Sequence, residues 1–410
     1  MLANLWGMKQ AELKLALVGC GGQAGGDVPN FADHPSVKIV AVCDPDKTNR
    51  DKFGTKYGVP EGARYADYKK LLSDVPCDAV FCATPDHMHA PVGLAALRKN
   101  KHVYLQKPLA RGVAECRALA DEARKRPKLA TQMGIQIHGD AAYRSAVTWL
   151  RGGIVGRVRE VHSFCAKGWG GPQAKKPADP VPDGLDWDIY CGVSPFRPYV
   201  KGDYHPGNWR RWQAFGTGTL GDMGCHILDP VFGGTGLISP RTVKSHLAAP
   251  PNDENFPYDM HIEWGFDDDV NYHWYSGDVR PDASILPGVS LPGAGSLVIG
   301  ERARLLVPHW SIPTLYDASG TKLNRTPRPE PAVNHYHEWV DAALASNPSA
   351  CGANFAFAGP LTECVLMGNI ASWQPQKQLT WDGRRCRFVG EGSKEANKHL
   401  TPSYRRGVRL

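Results

Sequence analysis

Leu13-Lys14-Leu15-Ala16-Leu17-Val18-Gly19-Cys20-Gly21-Gly22-Gln23-Ala24 is a short apolar run that breaks into a turn of the form G-x-G-x-x-A. A run of this length bounded by glycine has the pattern of a buried strand. Glycines at this spacing let backbone N–H groups and the start of the next helix approach a pyrophosphate, with Gly19, Gly21, Gly22, Gln23 and Ala24 as the contacts. Alone such a turn is a weak signal; its surroundings make it a strong one.

Working outward, apolar runs recur at Lys38–Cys43, Ala79–Ala83, His102–Leu105 and Leu129–Gly134. Helix-like stretches fill the gaps at Asp46–Tyr57, Tyr68–Leu72, His89–Lys99 and Gly112–Arg124. Strands alternating with helices at these lengths predict a parallel sheet covered on both faces, an N-terminal Rossmann domain over residues 1–135. Asp44 ends the second strand 25 residues after Gly19, where a carboxylate accepts both adenosine ribose hydroxyls and repels a 2′-phosphate, so the expected cofactor is NAD. The alternative reading is that Asp44 merely opens the turn with Pro45. Ala83-Thr84-Pro85-Asp86-His87-Met88-His89 follows another strand, at the carboxyl edge that faces ligand. Thr84 and Pro85 are expected beside the nicotinamide; His87 and His89 are either site residues or the start of the next helix.

Beyond residue 135 the pattern changes to one helix-like segment, Tyr143–Arg151, and then strand-like stretches between loops rich in Pro, Gly and Trp. Candidate strands are Val158–Cys165, Thr242–Ala248, Met260–Phe266, Val270–Tyr275, Ser296–Ile299 and Arg304–Val307, mostly alternating in polarity as in a one-sided antiparallel sheet. Asn334–Leu344 and Pro360–Trp373 are candidate closing helices. The expectation is α/β overall: the Rossmann domain, then an α+β domain over 136–380 with an open, mainly antiparallel mixed sheet, and a solvated basic tail over 381–410 that includes Lys394, Lys398, Arg405, Arg406 and Arg409.

Composition narrows the function classes. The 410 residues carry 48 basic and 41 acidic side chains scattered along the chain, a net charge of +7 with no stripe for nucleic acid. Eleven cysteines form no C-x-x-C pair, which excludes a zinc ribbon and fits reduced, buried thiols. Neither a basic leader followed by a long apolar run nor a membrane span is evident, so a cytoplasmic location is expected, with no membrane partner.

Two further segments carry the resemblance. Gln106-Lys107-Pro108-Leu109 follows the fourth strand, and Gly221-Asp222-Met223-Gly224-Cys225-His226 stands in the second domain. With the glycine turn and the ATPDHMH segment, they make the chain resemble the family of glucose–fructose oxidoreductase, inositol dehydrogenase and MocA, from Leu13 to about Trp373. The resemblance implies a second domain that carries a sugar site and much of an oligomer contact, hence a homo-oligomer. It also implies a lysine, here Lys107, aimed at the reacting hydroxyl beside the nicotinamide. The family's motif is Glu-Lys-Pro; Gln106 removes a carboxylate and alters the local charge balance. Asp222 and His226 are four apart, so on a helix they share a face, and the resemblance makes them the pair that binds and deprotonates the sugar hydroxyl. Pro108 stiffens the turn.

Trp187-Asp188 through Tyr204-His205-Pro206-Gly207-Asn208-Trp209-Arg210-Arg211-Trp212 is dense in groups that stack on a sugar face or bind hydroxyls. Tyr204, His205, Asn208, Trp209 and Arg210, with Trp169 and His138, are the candidate substrate wall, although tryptophans in such a loop also staple it together. His138 and Asp140 could join Asp222 and His226 in a mixed nitrogen–oxygen metal site, but no tight ligand spacing requires one and no metal is expected. The leading expectation is an NAD-dependent oxidoreductase acting on a hydroxyl of a sugar, glycoside or cyclic polyol. A redox-neutral glycosidase that oxidises C3, eliminates the aglycone, adds water and re-reduces shares the first step. A sugar or redox sensor without catalysis is the reading from another class.

Overall fold

The computed structural model describes residues 11–408, so the reading of the segment before Ala11 and of Arg409 falls outside the described residues. The first half alternates β1 (Leu13–Val18), α1 (Ala24–Ala32), β2 (Val37–Cys43), α2 (Lys47–Lys56), β3 (Arg64–Tyr65), α3 (Tyr68–Asp74), β4 (Ala79–Cys82), α4 (His89–Arg98), β5 (His102–Gln106), α5 (Val113–Arg124) and β6 (Thr131–Gly134). Among the described residues these strands form a sheet of order β3-β2-β1-β4-β5-β6, parallel throughout. Its strands alternate between two cores. Leu13, Leu15 and Leu17 pack with Phe31, Phe81 and Tyr104 on one face, while Ala16 and Val18 pack with Val80, Cys82 and Leu105 on the other. Chain order reverses between β1 and its neighbours β2 and β4, so the turns after β1, β2, β4 and β5 open on one crevice.

The second half runs α6 (Ala141–Arg151), β7 (Val158–Cys165), α7 (Trp187–Cys191), α8 (Gly218–Thr235), β8 (Thr242–Ser245), β9 (Met260–Gly265), β10 (Asn271–Ser276), β11 (Ala294–Gly300), β12 (Arg304–Pro308), β13 (Thr314–Tyr316), α9 (His335–Leu344), α10 (Phe355–Ala371), β14 (Gln378–Asp382) and β15 (Arg387–Val389). Its sheet, of order β13-β12-β11-β7-β10-β9-β8-β14-β15 among the described residues, is antiparallel except where β10 runs parallel to β7. Alternation sets the faces: Met260, Ile262 and Trp264 are buried inward, while His261 and Glu263 lie half-buried on the other side. Helices α8 and α10 share the inward core with these strands. Helix α8 was hidden by its composition, because five glycines and Pro230 read as loop. The glycines are where it is approached closely: a Cβ at Gly234 would lie 2.7 Å from Leu150 of α6, and one at Gly224 3.2 Å from Val365 of α10.

The first sheet ends with β6 at Gly134, beside the expected boundary at 135, but the packing departs from the expected division further along. Helix α9 buries Trp339, Val340, Ala342 and Ala343 in the core around β1 and α1, so a segment expected in the second domain completes the first. Position 380 falls inside β14. The tail is no solvated extension either: β14 and β15 continue the second sheet, and the chain then straps α5 of the first domain and α7. Ala114 N–H donates to the Leu400 carbonyl at 3.0 Å, Tyr404 O–H to Glu115 at 2.8 Å, and Arg405 grips Asp188 through both nitrogens at 3.0 and 2.9 Å. All eleven thiols are free and ten are buried. Among the described residues no helix is long and apolar enough to cross a membrane.

Candidate active site

The crevice is built first by backbone. Gly19 has φ +87°, and a Cβ there would lie 2.6 Å from the Ala83 carbonyl carbon, so only glycine lets β1 turn against the end of β4. Gly21, Gly22 and Gln23 line the cleft beyond it. Ala24 does not; it is fully buried at the start of α1. At the far end Asp44 accepts from Cys20 N–H at 2.7 Å and Asp46 N–H at 2.8 Å, so it holds its own turn as well as facing the cleft. Burial pushes its carboxyl up, and the two backbone donors counter that. Thr84 and Pro85 line the opposite wall with Gln106 and Lys107.

Neither His87 nor His89 reaches this cleft, and neither side chain caps a helix. His87 is wholly buried, its Nε2 2.9 Å from the Tyr190 carbonyl, and burial pushes it down to about 3. The His89 ring places Nδ1 2.7 Å from the Pro108 carbonyl and Nε2 2.9 Å from the Thr84 carbonyl, and burial pushes it down to about 4. These histidines tie the ATPDHMH turn to its neighbours, and His89 opens α4, as the helix-start reading expected. Asp86, beside them, accepts from Thr217 O–H at 2.6 Å, and burial pushes its carboxyl up to about 7. Thr217 precedes the first turn of α8, so this bond fixes the Thr84–Pro85 wall to the helix that carries Asp222 and His226.

Lys107, Asp222 and Arg210 converge. Lys107 Nζ donates to the Asp222 carboxylate at 2.7 Å and to its carbonyl at 2.9 Å, while Arg210 Nε donates to the same carboxylate oxygen at 3.0 Å. Burial pushes Asp222 up, but the Lys107 ammonium and Arg210 guanidinium outweigh it and hold the carboxyl well below the usual range. Lys107–Pro108 is cis. His226, one turn on, is 6% exposed with its Nδ1 buried and without a partner. Burial, then the charge of Lys107, push it well below the usual histidine range, which keeps the ring neutral.

The aromatic loop divides. Trp209 and Arg210 line the cleft, the guanidinium lying 4.3 Å from the Trp209 ring centroid and 5.7 Å from that of Trp169. His205 also lines it, but on the Asp44 side, where its Nε2 stands 3.0 Å from an Asp46 carboxylate oxygen. Tyr204 is a staple, buried with Trp187, Tyr199, Trp212 and Phe215. Asn208 faces away and donates to the Gly202 carbonyl at 2.6 Å. His138 lies beneath the site, its Nδ1 2.8 Å from Asp229, and Asp140 caps α6 through Ala142 N–H at 2.7 Å. The four groups weighed as metal ligands therefore do not meet, and among the described residues no three His, Cys, Asp or Glu side chains could hold a metal ion. Ile189 and Tyr190 of α7 also line the cleft; they arrive through Asp186 N–H on the Pro45 carbonyl at 3.0 Å, a long-range contact with no local signal.

Two sequence families match this arrangement in order. Residues 13–134 match the oxidoreductase family described as an NAD-binding Rossmann fold, and residues 154–409 match its C-terminal alpha/beta domain. The chain belongs to the Gfo/Idh/MocA oxidoreductase family. Its first domain is therefore the family's NAD-binding domain, and the glycine cradle and Asp44 fit that group. Among curated relatives, a "Glycosyl hydrolase family 109 protein" of Shewanella pealeana is 29% identical over 169 residues, 34% of this chain and 37% of the relative. An "Inositol 2-dehydrogenase" of Salmonella typhimurium is 31% identical over 151 residues, 37% and 45% of the two chains. The matches thus span less than half of either relative. A levoglucosan dehydrogenase solved with NADH and levoglucosan has a TM-score of 0.65 at 16% identity, covering 90% of this chain and 99% of that one, a likeness of fold.

Proposed function

We propose that this chain oxidises a hydroxyl of a sugar, glycoside or cyclic polyol with NAD as cofactor. The observation that carries this reading is the Lys107–Asp222–Arg210 cluster at the Thr84–Pro85 end of the cofactor cleft, with His226 held neutral behind it. NAD, when bound, supplies the acceptor for a hydride from a sugar carbon and the donor that can return it. Lys107 orients the hydroxyl, Asp222 fixes the ammonium, and the neutral imidazole of His226 takes the proton. Arg210 beside Trp209 and Trp169 supplies hydrogen-bond donors and the rings supply apolar faces for a sugar.

A redox-neutral glycosidase uses the same residues for its first step, and the relative named for glycosyl hydrolase family 109 favours keeping it in view. The protein as purified, assayed for bound NAD and given nitrophenyl glycosides without added cofactor, separates the two. Nitrophenol without net NADH marks cleavage; NADH in step with a ketone marks the dehydrogenase; neither, across a broad polyol panel, refutes both. Asp44 makes a second expectation: NADP should bind about tenfold or more weakly than NAD, and Asp44→Ala should narrow the gap. Equal affinities in the unsubstituted protein, by direct titration, would remove Asp44 from that role.

A further inference from the structure

The cluster around Lys107 has a side that the proposed chemistry leaves unused. Asp27 on α1 is 1% exposed and accepts from three donors: Gln23 Nε2 at 2.9 Å, Tyr336 O–H at 2.7 Å and Gln106 Nε2 at 2.5 Å. Burial pushes its carboxyl up, which Tyr336, Gln23, Gln106 and the nearby Lys107 ammonium only partly offset. Gln106 is equally confined. It is 4% exposed, its carbonyl oxygen lies 3.4 Å from the Lys107 backbone nitrogen, and a Cβ at Gly134 would lie 2.5 Å from its amide nitrogen.

The amide at 106 and the acid at 27 are therefore a matched donor and acceptor. A glutamate at 106 would press a second carboxylate against Asp27 in a buried place, where two ionised acids cannot coexist at low cost. Charge count points the same way. Lys107 and Arg210 are two cations on one oxygen of Asp222, which leaves one positive charge over. Of the other groups near Lys107, burial pushes His89 and His226 down and the buried Asp86 carboxyl up. Asp27 is the carboxylate tied to this turn, through the Gln106 amide.

We propose that Asp27 is the counter-anion of the Gln106-Lys107-Pro108 turn, a positioning residue that acts through the Gln106 amide to hold Lys107 in register with Asp222. The carboxylate expected at 106 has moved across one hydrogen bond, from the strand end onto α1. This rests on the reading of Lys107 given above.

Three variants test it: Asp27→Asn, Gln106→Glu and the exchange Asp27→Asn/Gln106→Glu, each measured for thermal unfolding, NAD titration, and kcat and KM with an oxidised polyol. Asp27→Asn keeps a hydrogen-bonding amide, so it should fold and bind NAD within about threefold of the parent, while kcat falls about tenfold with little change in KM. Gln106→Glu should lower both the melting temperature and NAD affinity. The exchange should restore kcat to within about threefold, since one acid again faces one amide. An Asp27→Asn protein with parental kcat, or an exchange no better than Gln106→Glu alone, would overturn the proposal. If the parent oxidises nothing, the functional reading fails by itself; the pair is then judged by unfolding and NAD titration, where recovery in the exchange supports it and additive losses overturn it.

Discussion

His226→Ala is expected to lower hydride transfer by about a thousandfold, within the roughly 10²–10⁴ that a positioned base contributes, while NAD affinity stays within about twofold. His226 sits on α8, one turn beyond Asp222, with its Nδ1 buried and without a hydrogen-bond partner among the described residues. Burial and the charge of Lys107 keep the ring unprotonated far below the usual histidine range, and Asp222 only partly offsets them. The sign matters for the pH profile. A base must be neutral to act, so a depressed value leaves His226 competent on acidification, and the acid limb of kcat/KM should fall below the ordinary histidine range. Rates of NADH formation against pH, with NAD binding followed separately, check both parts. Full turnover in the alanine variant would exclude His226 as the base, and an acid limb in the normal histidine range would mean that another group titrates.

Asp222 contributes differently from the expectation that it faces the sugar beside His226. Its carboxylate is taken by Lys107 and Arg210. Under the proposed function it would act on substrate through two cations, one from β5's end and one from the aromatic loop.

The fold was legible where physical constraint is local. Strands β1, β4 and β5 are buried on both faces, so unbroken apolar runs reveal them. The alternating β9 was legible for the opposite reason, one face being covered and the other not. What escaped is set by partners far away in sequence. Helix α8 is rich in glycine because α6 and α10 press on it, and α9 joins the first core only through Trp339 and its neighbours. Within the site, Lys107, Trp209 and Arg210 were legible from motif and loop chemistry and do line the cleft. His87, His89, Tyr204 and Asn208 carried the same chemistry in sequence, and only the carbonyls and rings around them show that they hold structure. Asp27 had no motif at all, since its meaning lies in Gln106, about eighty positions on.

Gly19→Ala should damage the protein most at its foundation. The new methyl would meet the Ala83 carbonyl carbon and oxygen at 2.6 Å and the Thr84 nitrogen at 2.7 Å, all backbone. That backbone has little room to retreat, because Ala83 N–H donates to the Val18 carbonyl at 2.8 Å and locks β4's end to β1. Alanine also resists the φ of +87° found there. Overpacking costs about 1–3 kcal/mol, and the left-handed backbone adds roughly 1–2 kcal/mol. Relief can come only by pushing Ala83 and Thr84 outward, which moves the wall on which the nicotinamide is expected. The variant should therefore melt several degrees lower and bind NAD about a hundredfold more weakly or worse. Gly22→Ala is the control: a methyl there would meet no heavy atom within 4 Å and the backbone has no positive φ, so its melting temperature should hardly change. If Gly19→Ala matched the parent in melting temperature and NAD affinity, the turn would not be the close approach described. A loss confined to NAD affinity, with stability intact, would place the methyl against the cofactor instead of against β4.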